Sequence, residues 1–121
     1  MKPHGWVGVG ALSGAVTVAL GAFGAHALKD SVPAEDLDIW RTAVLYQGLH
    51  ALALVLFGTF RQQRGGGGAA GWAFVVGSVV FSGSLYALVL GGPRWLGAIT
   101  PIGGVSLIVG WLAFALAALR K

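Results

Sequence analysis

The sequence predicts an all-α fold, an integral-membrane antiparallel four-helix bundle. Three observations carry this. Four apolar runs of membrane-spanning length follow one another, at about residues 6–28, 42–60, 69–90 and 101–119. No Asp, Glu, Lys or Arg interrupts any of them. The chain of 121 residues is 56% hydrophobic and only 10% charged, with a mean hydropathy of +0.80, whereas an ordinary soluble domain carries about 25% charged residues. A helix needs about 20 apolar residues to cross about 30 Å of hydrocarbon. Four such runs leave no polar face with which a soluble bundle could meet water, so residues 1–121 are expected to form a single four-span domain.

The first run, Trp6 to Leu28, follows Lys2 and ends near Ala25-His26-Ala27. It mimics a secretory leader, but it is longer than the usual apolar core of 7–15 residues and further spans follow, so it is expected to be retained. At 100° per residue, Gly10, Ser13, Gly14, Thr17, Gly21 and Gly24 share one face, with Ala15, Ala19, Ala22 and His26 roughly opposite. Close van der Waals contact drives helix association in lipid and favours small residues. Both faces of this helix are therefore candidates for packing. Gly71, Ser78 and Ser82 in the third run and Gly103, Gly104 and Gly110 in the fourth extend the pattern. Small faces on several helices also permit a homo-oligomer or a membrane-protein partner.

The connections are short. Lys29 to Arg41 holds every acidic residue of the protein: Asp30, Glu35, Asp36 and Asp38. Pro33 suits the first turn of a helix, and Glu35 and Asp36 there complement its dipole, so the second helix is expected to start near Pro33, before its apolar run. Arg61 to Gly68, RQQRGGGG, reads as a flexible turn. It lacks the strand and lysine of a phosphate-binding loop. Thr100-Pro101 reads as the N-cap and first residue of the fourth helix.

Four spans put both termini on one side of the bilayer, with Lys2, Arg61, Arg64, Arg120 and Lys121. Lys29, Arg41, Arg94 and all four acids fall on the other. The positive-inside rule then places both termini in the cytoplasm.

Polar residues inside membrane spans are costly and usually face the bundle interior. In the second run Thr42, Tyr46 and His50 are spaced i, i+4, i+8 and share a face that Ala53 and Phe57 continue; Gln47 borders it. His26 lies near the outer end of the first helix, Ser82, Ser84 and Tyr86 in the outer half of the third, and Thr100 at the outer end of the fourth. His26, Tyr46, Gln47, His50, Ser82, Tyr86 and Thr100 are thus expected to form a polar layer in the outer half, which either fixes helix register or lines a pocket for a small molecule or lipid head group.

Several classes are set aside. The formal net charge of +4 comes from cations scattered near the ends of apolar runs. Nucleic-acid binding would require a basic stripe on a polar face. The absence of cysteine removes disulfides, thiolate metal sites and cysteine nucleophiles. His26 and His50 differ in depth by about 10 Å at 1.5 Å per residue, too much for ligands of one metal, so neither a metal nor another cofactor is expected. The acids all lie in one loop, where a partner such as His26 would make a surface ion pair, and no catalytic residues are expected.

Four blocks appear in order: GAFGAHALK (Gly21 to Lys29), TAVLYQGLHALAL (Thr42 to Leu54), FSGSLYALVL (Phe81 to Leu90), and TPIGG with a later Gly110-Trp111. Together they resemble the small bacterial membrane protein family typified by YgdD and YwdK, a domain of unknown function whose eukaryotic relatives are called transmembrane protein 256. The resemblance implies a multi-pass protein of the bacterial cytoplasmic (inner) membrane, in contact with the lipid bilayer. It supplies no activity and no catalytic residue. The expected role is a non-enzymatic interaction or ligand-binding module, accessory to a larger membrane complex. The alternative is a small solute transporter or channel acting alone.

Overall fold

The computed structural model describes residues 1–120; Lys121, one of the cations counted for orientation, lies outside the described residues. Four long apolar helices pack side by side: α1 (Pro3–His26), α2 (Ala34–Arg64), α3 (Ala69–Val89) and α4 (Leu96–Leu119). All four are long and apolar enough to cross a membrane. Their outward side chains are those of a lipid-facing surface: Leu12, Val18, Leu52, Val79, Ile102 and Leu112 are each more than 60% exposed. A water-facing surface rarely carries apolar patches on that scale.

The helices lie in chain order, α1 along α2, α2 along α3, and α3 along α4. Side chains then close the bundle across the diagonals. Trp6 of α1 reaches Trp72 of α3, and Trp111 of α4 reaches His50 of α2. α2 is the central helix: 44% of its most apolar stretch is buried, against 11% in α1 and 17% in α4.

Helix ends follow local chemistry. Pro3 opens α1, where a missing N–H costs nothing. α2 begins directly after Pro33, with Glu35 and Asp36 in its first turn. Its 31 residues span about 46 Å, more than the hydrocarbon core requires. Gly65, at φ +66°, ends it in a conformation that suits glycine, its N–H bonding Arg61 C=O at 2.8 Å.

The fourth helix departs from expectation. Thr100 is not its cap and Pro101 is not its first residue: α4 starts at Leu96, and Pro101 lies inside it. The turn Pro93-Arg94-Trp95 starts the helix instead, its three carbonyls accepting from the N–H groups of Leu96, Gly97 and Ala98 at 3.0–3.1 Å. Pro101 removes one helical donor, from the carbonyl of Gly97.

Two hairpins are docked at backbone distance. A Cβ on Gly10 would stand 2.7 Å from Ala51 C=O, and one on Gly58 2.8 Å from Pro3 C=O, so α1 and α2 exchange glycine contacts. In the second hairpin a Cβ on Gly77 would meet the Leu107 backbone at 2.9 Å, and one on Gly103 would collide with the Phe81 backbone. Between the hairpins, α2 meets α3 through side chains. One apolar cluster there joins Trp6, Leu54, Phe57, Ala70, Phe74 and Leu107; a second joins Leu28, Leu37, Trp40 and Val89 near the opposite end. The face of α1 formed by Ala15, Ala19, Ala22 and His26 is exposed; the glycine face packs on α2 through Gly10, Gly21 and Gly24, whereas Gly14 at its edge stands open.

Gly103→Ala and Gly10→Val are expected to lower thermal stability in detergent by about 1–3 kcal/mol, the usual range for overpacking. Gly14→Ala and Gly83→Ala, where a Cβ meets nothing within 4 Å, should leave it unchanged. Thermal unfolding of the four purified variants measures this. Equal behaviour of the two pairs would contradict the backbone docking.

Candidate functional site

The polar side chains lie largely between the two apolar clusters, each tied to a particular helix neighbour. Tyr46 and Gln47 are adjacent in sequence, so they point about 100° apart on α2 and serve different sides of it. Gln47 faces α1 and α3. Its Oε1 accepts from Tyr86 Oη at 2.6 Å, and its Nε2 reaches Ser13 C=O at 3.3 Å and Ser13 Oγ at 3.4 Å. One amide thereby links three helices. Beside it Ser82 Oγ, buried, donates to Ala43 C=O at 2.8 Å and binds α3 to α2.

His50 stands at the middle of α2 and faces α4. Trp111 Nε1 donates to its Nε2 at 3.0 Å, and its Nδ1 lies 2.6 Å from Tyr46 C=O. An indole N–H can only donate, so Nε2 accepts and the ring proton belongs on Nδ1, which donates to the Tyr46 carbonyl. Both nitrogens of His50 are thereby engaged. Tyr46 lies nearly parallel to His50, with ring centroids 6.3 Å apart, and packs against Phe81 at 4.6 Å.

The other predicted residues lie apart. Thr100 Oγ1 joins Ser84 Oγ at 2.6 Å and bonds Leu96 C=O at 3.2 Å, linking α4 to α3 near their connection. His26 is exposed in the last turn of α1. Thr42 is exposed and donates to Asp38 C=O at 3.0 Å. Among the described residues the one salt bridge is Arg41 to Asp38, at 3.6 Å, and it does not involve His26. Within the set of seven, Tyr86 bonds Gln47 and His50 bonds the Tyr46 carbonyl, whereas Ser82 and Thr100 bond residues outside it and His26 makes no side-chain hydrogen bond among the described residues.

Two grooves open on opposite sides of the α2–α3 contact. The smaller, about 300 Å³, lies between α1 and α3 and is lined by Ser13, Gln47, Ser78, Ser82 and Tyr86. The buried Ser78 hydroxyl there has no partner among the described residues. The larger, about 530 Å³, lies between α2 and α4. Tyr46, His50 and Trp111 supply its polar atoms, and Phe81, Gly104 and Ile108 are among its apolar lining.

Trp111 is the hydrogen-bond partner of His50 that sequence reasoning missed. Its signal was its position: tryptophan in membrane proteins favours the interfaces, and one deep in a span needs an acceptor for its N–H. Ser106, which donates to Ala73 C=O at 2.8 Å, was missed in the same way.

Removing both members of the His50–Trp111 pair should cost less than the sum of the single losses. His50→Leu, Trp111→Phe and the double variant, unfolded thermally in detergent, are expected to give a coupling of about 0.6–1.7 kcal/mol. A coupling of zero would mean that the pair does not form. Gln47→Leu should destabilise by about 1–3 kcal/mol, because it leaves the Tyr86 hydroxyl unpaired.

Comparison with known proteins places the chain among membrane proteins. Residues 20–104 match the family described as "Protein of unknown function (DUF423)". The chain is 42% identical over 115 residues to the UPF0382 membrane protein YwdK of Bacillus subtilis, covering 93% of this chain and 94% of that protein. It is 45% identical over 113 residues to a UPF0382 membrane protein of Staphylococcus epidermidis, covering 93% of each. It is 38% identical over 116 residues to the UPF0382 inner membrane protein YgdD of Escherichia coli, covering 91% and 86%. No solved structure matches. At these identities, over nearly its whole length, the chain belongs to the DUF423/UPF0382 family of membrane proteins of unknown function.

Proposed function

We propose that this inner-membrane protein is a non-enzymatic binding module that holds an amphiphilic guest in the groove between α2 and α4. The single observation that carries the reading is the floor of that groove, the His50–Trp111 pair set among apolar side chains. Its volume, about 530 Å³, falls in the range of small-molecule sites, which are mostly apolar with a few placed polar groups. Pairing with each other spends the acceptor of His50 and the donor of Trp111. The Tyr46 hydroxyl takes part in no hydrogen bond among the described residues and is the group offered to a guest.

A non-catalytic role is supported by the same geometry. His50 has neither nitrogen to spare, and all four carboxylates lie in or near the α1–α2 connection. A binding role is also favoured over conduction, because Trp6, Phe57, Phe74 and Leu107 fill the bundle between the groove and the arginine-rich end. Accessory action in a larger complex would place a partner over the groove mouth. Both termini are proposed to face the cytoplasm, on the charge bias of the connections.

Gly104→Leu tests the groove without disturbing the fold, since a Cβ there meets only the Phe81 ring, at 3.7 Å and beyond. Native mass spectrometry of protein extracted from its own membranes should find a bound small hydrophobic molecule. Gly104→Leu and Tyr46→Phe, which keeps the ring packed on Phe81, should lose it while keeping the parent melting temperature. An empty parent protein, or a guest retained equally by both variants, would refute the proposal. Solute flux in liposomes holding only this protein would favour the transport reading. Orientation has a separate measurement, because the chain has no cysteine. In intact cells Asp30→Cys should react with a membrane-impermeant maleimide and Gln62→Cys should not. The reverse pattern would invert the topology.

A further inference from the structure

At the end of the molecule remote from the acids, the C-terminus of α2 and the end of α4 bring Arg61, Arg64 and Arg120 together around the start of α3. Arg64 Nη2 donates to Arg120 C=O at 2.5 Å. The Arg61 guanidinium lies 5.2 Å from the Phe57 ring centroid and 5.3 Å from that of Phe60, and its Nη1 donates to Gly65 C=O at 2.6 Å. Its Nε is buried with no partner among the described residues. Arg61 and Arg120 border a groove of about 240 Å³ between α3 and α4, whose remaining lining includes Ala69, Ala70, Ala113 and Leu116.

No Asp or Glu can neutralise these arginines. The acid closest to them along α2, Asp38, precedes Arg61 by 23 residues, about 35 Å of helix. Ala69 and Ala70, the first residues of α3, line this groove and no side chain caps the helix there, so the positive end of its dipole lies beside the groove. Arginine forks, free amides and an apolar wall that continues onto the lipid-facing surface of α4 suit a phosphate carried on acyl chains.

We propose that this groove is a binding site for the phosphodiester of an acidic phospholipid, with Arg61 and Arg120 holding the phosphate and the acyl chains lying along Ala113 and Leu116. The site is independent of the α2–α4 groove.

Native mass spectrometry of the full chain in detergent, titrated with phosphatidylglycerol or phosphatidylcholine, tests it. The parent should retain phosphatidylglycerol in preference to phosphatidylcholine. Arg120→Gln and Arg61→Gln should each weaken that retention about fivefold, with phosphatidylcholine unchanged. Arg120 lies on the exposed end of α4, so its variant stays informative if Arg61→Gln fails to fold. Lys2→Gln, on the same side but outside the groove, should retain the parent preference. No preference in the parent, no loss in the arginine variants, or an equal loss in Lys2→Gln would overturn the site. Displacement of the lipid by millimolar inorganic phosphate would overturn its assignment to lipid and leave a soluble anion as the ligand.

Discussion

Contact between helix backbones through glycine is the constraint on which the rest of this structure depends. In a bilayer, side chains gain nothing by leaving lipid for protein, so attraction must come from close and extensive packing. Gly10 and Gly58 supply it for α1 and α2, and Gly77 and Gly103 for α3 and α4. Trp40 shows what such packing makes room for. It is buried, lies where a side chain on Gly24 would stand, and donates to Leu20 C=O at 2.9 Å. At the other end Trp6 lies over Gly71 in the same way. Each tryptophan thus locks one end of α1 once glycine has allowed the approach.

Hydrogen bonds then select among registers that packing alone would tolerate. Each is modest in a membrane, about 0.6 kcal/mol on average, but they are spread over the interfaces. Gln47 spans α1, α2 and α3; Ser82 ties α3 to α2; Ser84 with Thr100, and Ser106 with Ala73, tie α3 to α4; His50 with Trp111 ties α2 to α4. A slip of one residue along any of these contacts would strand a donor in hydrocarbon. The polar residues therefore make the arrangement unique more than they make it strong.

Hydropathy made the number, order and approximate extent of the helices legible, because the bilayer demands a length that few other structures share. The glycine face of α1 was legible from 100° periodicity, and the start of α2 from Pro33 and the acids behind it. What failed was information about neighbours. Gln47 read as bordering the face that carries Tyr46, but which helix stands on each side of α2 is a tertiary fact. The bundle sends the two residues to different grooves. The opposite face of α1 looked as fit to pack as the glycine face, since small residues cannot announce which of them meets a partner. Thr100-Pro101 obeyed the rule for a helix start, yet Pro93 to Trp95 had already started the helix. Bonding between Thr100 and Ser84 shows why threonine suits that position all the same.

The unequal closeness of the helix pairs has a mechanical consequence. Within each hairpin the backbones touch, so the two helices move as one stiff plate. Between the plates, at the line where α2 meets α3, the contact is carried by side chains, including Ser82, whose Oγ donates to the Ala43 carbonyl, and no backbone stands against backbone there. The softest distortion of the molecule is therefore a rocking of one plate against the other about that line. Because the two grooves flank the line on opposite sides, such rocking widens one as it narrows the other. A guest that filled one groove would thereby reshape its counterpart through leverage, with no relay of side chains between them.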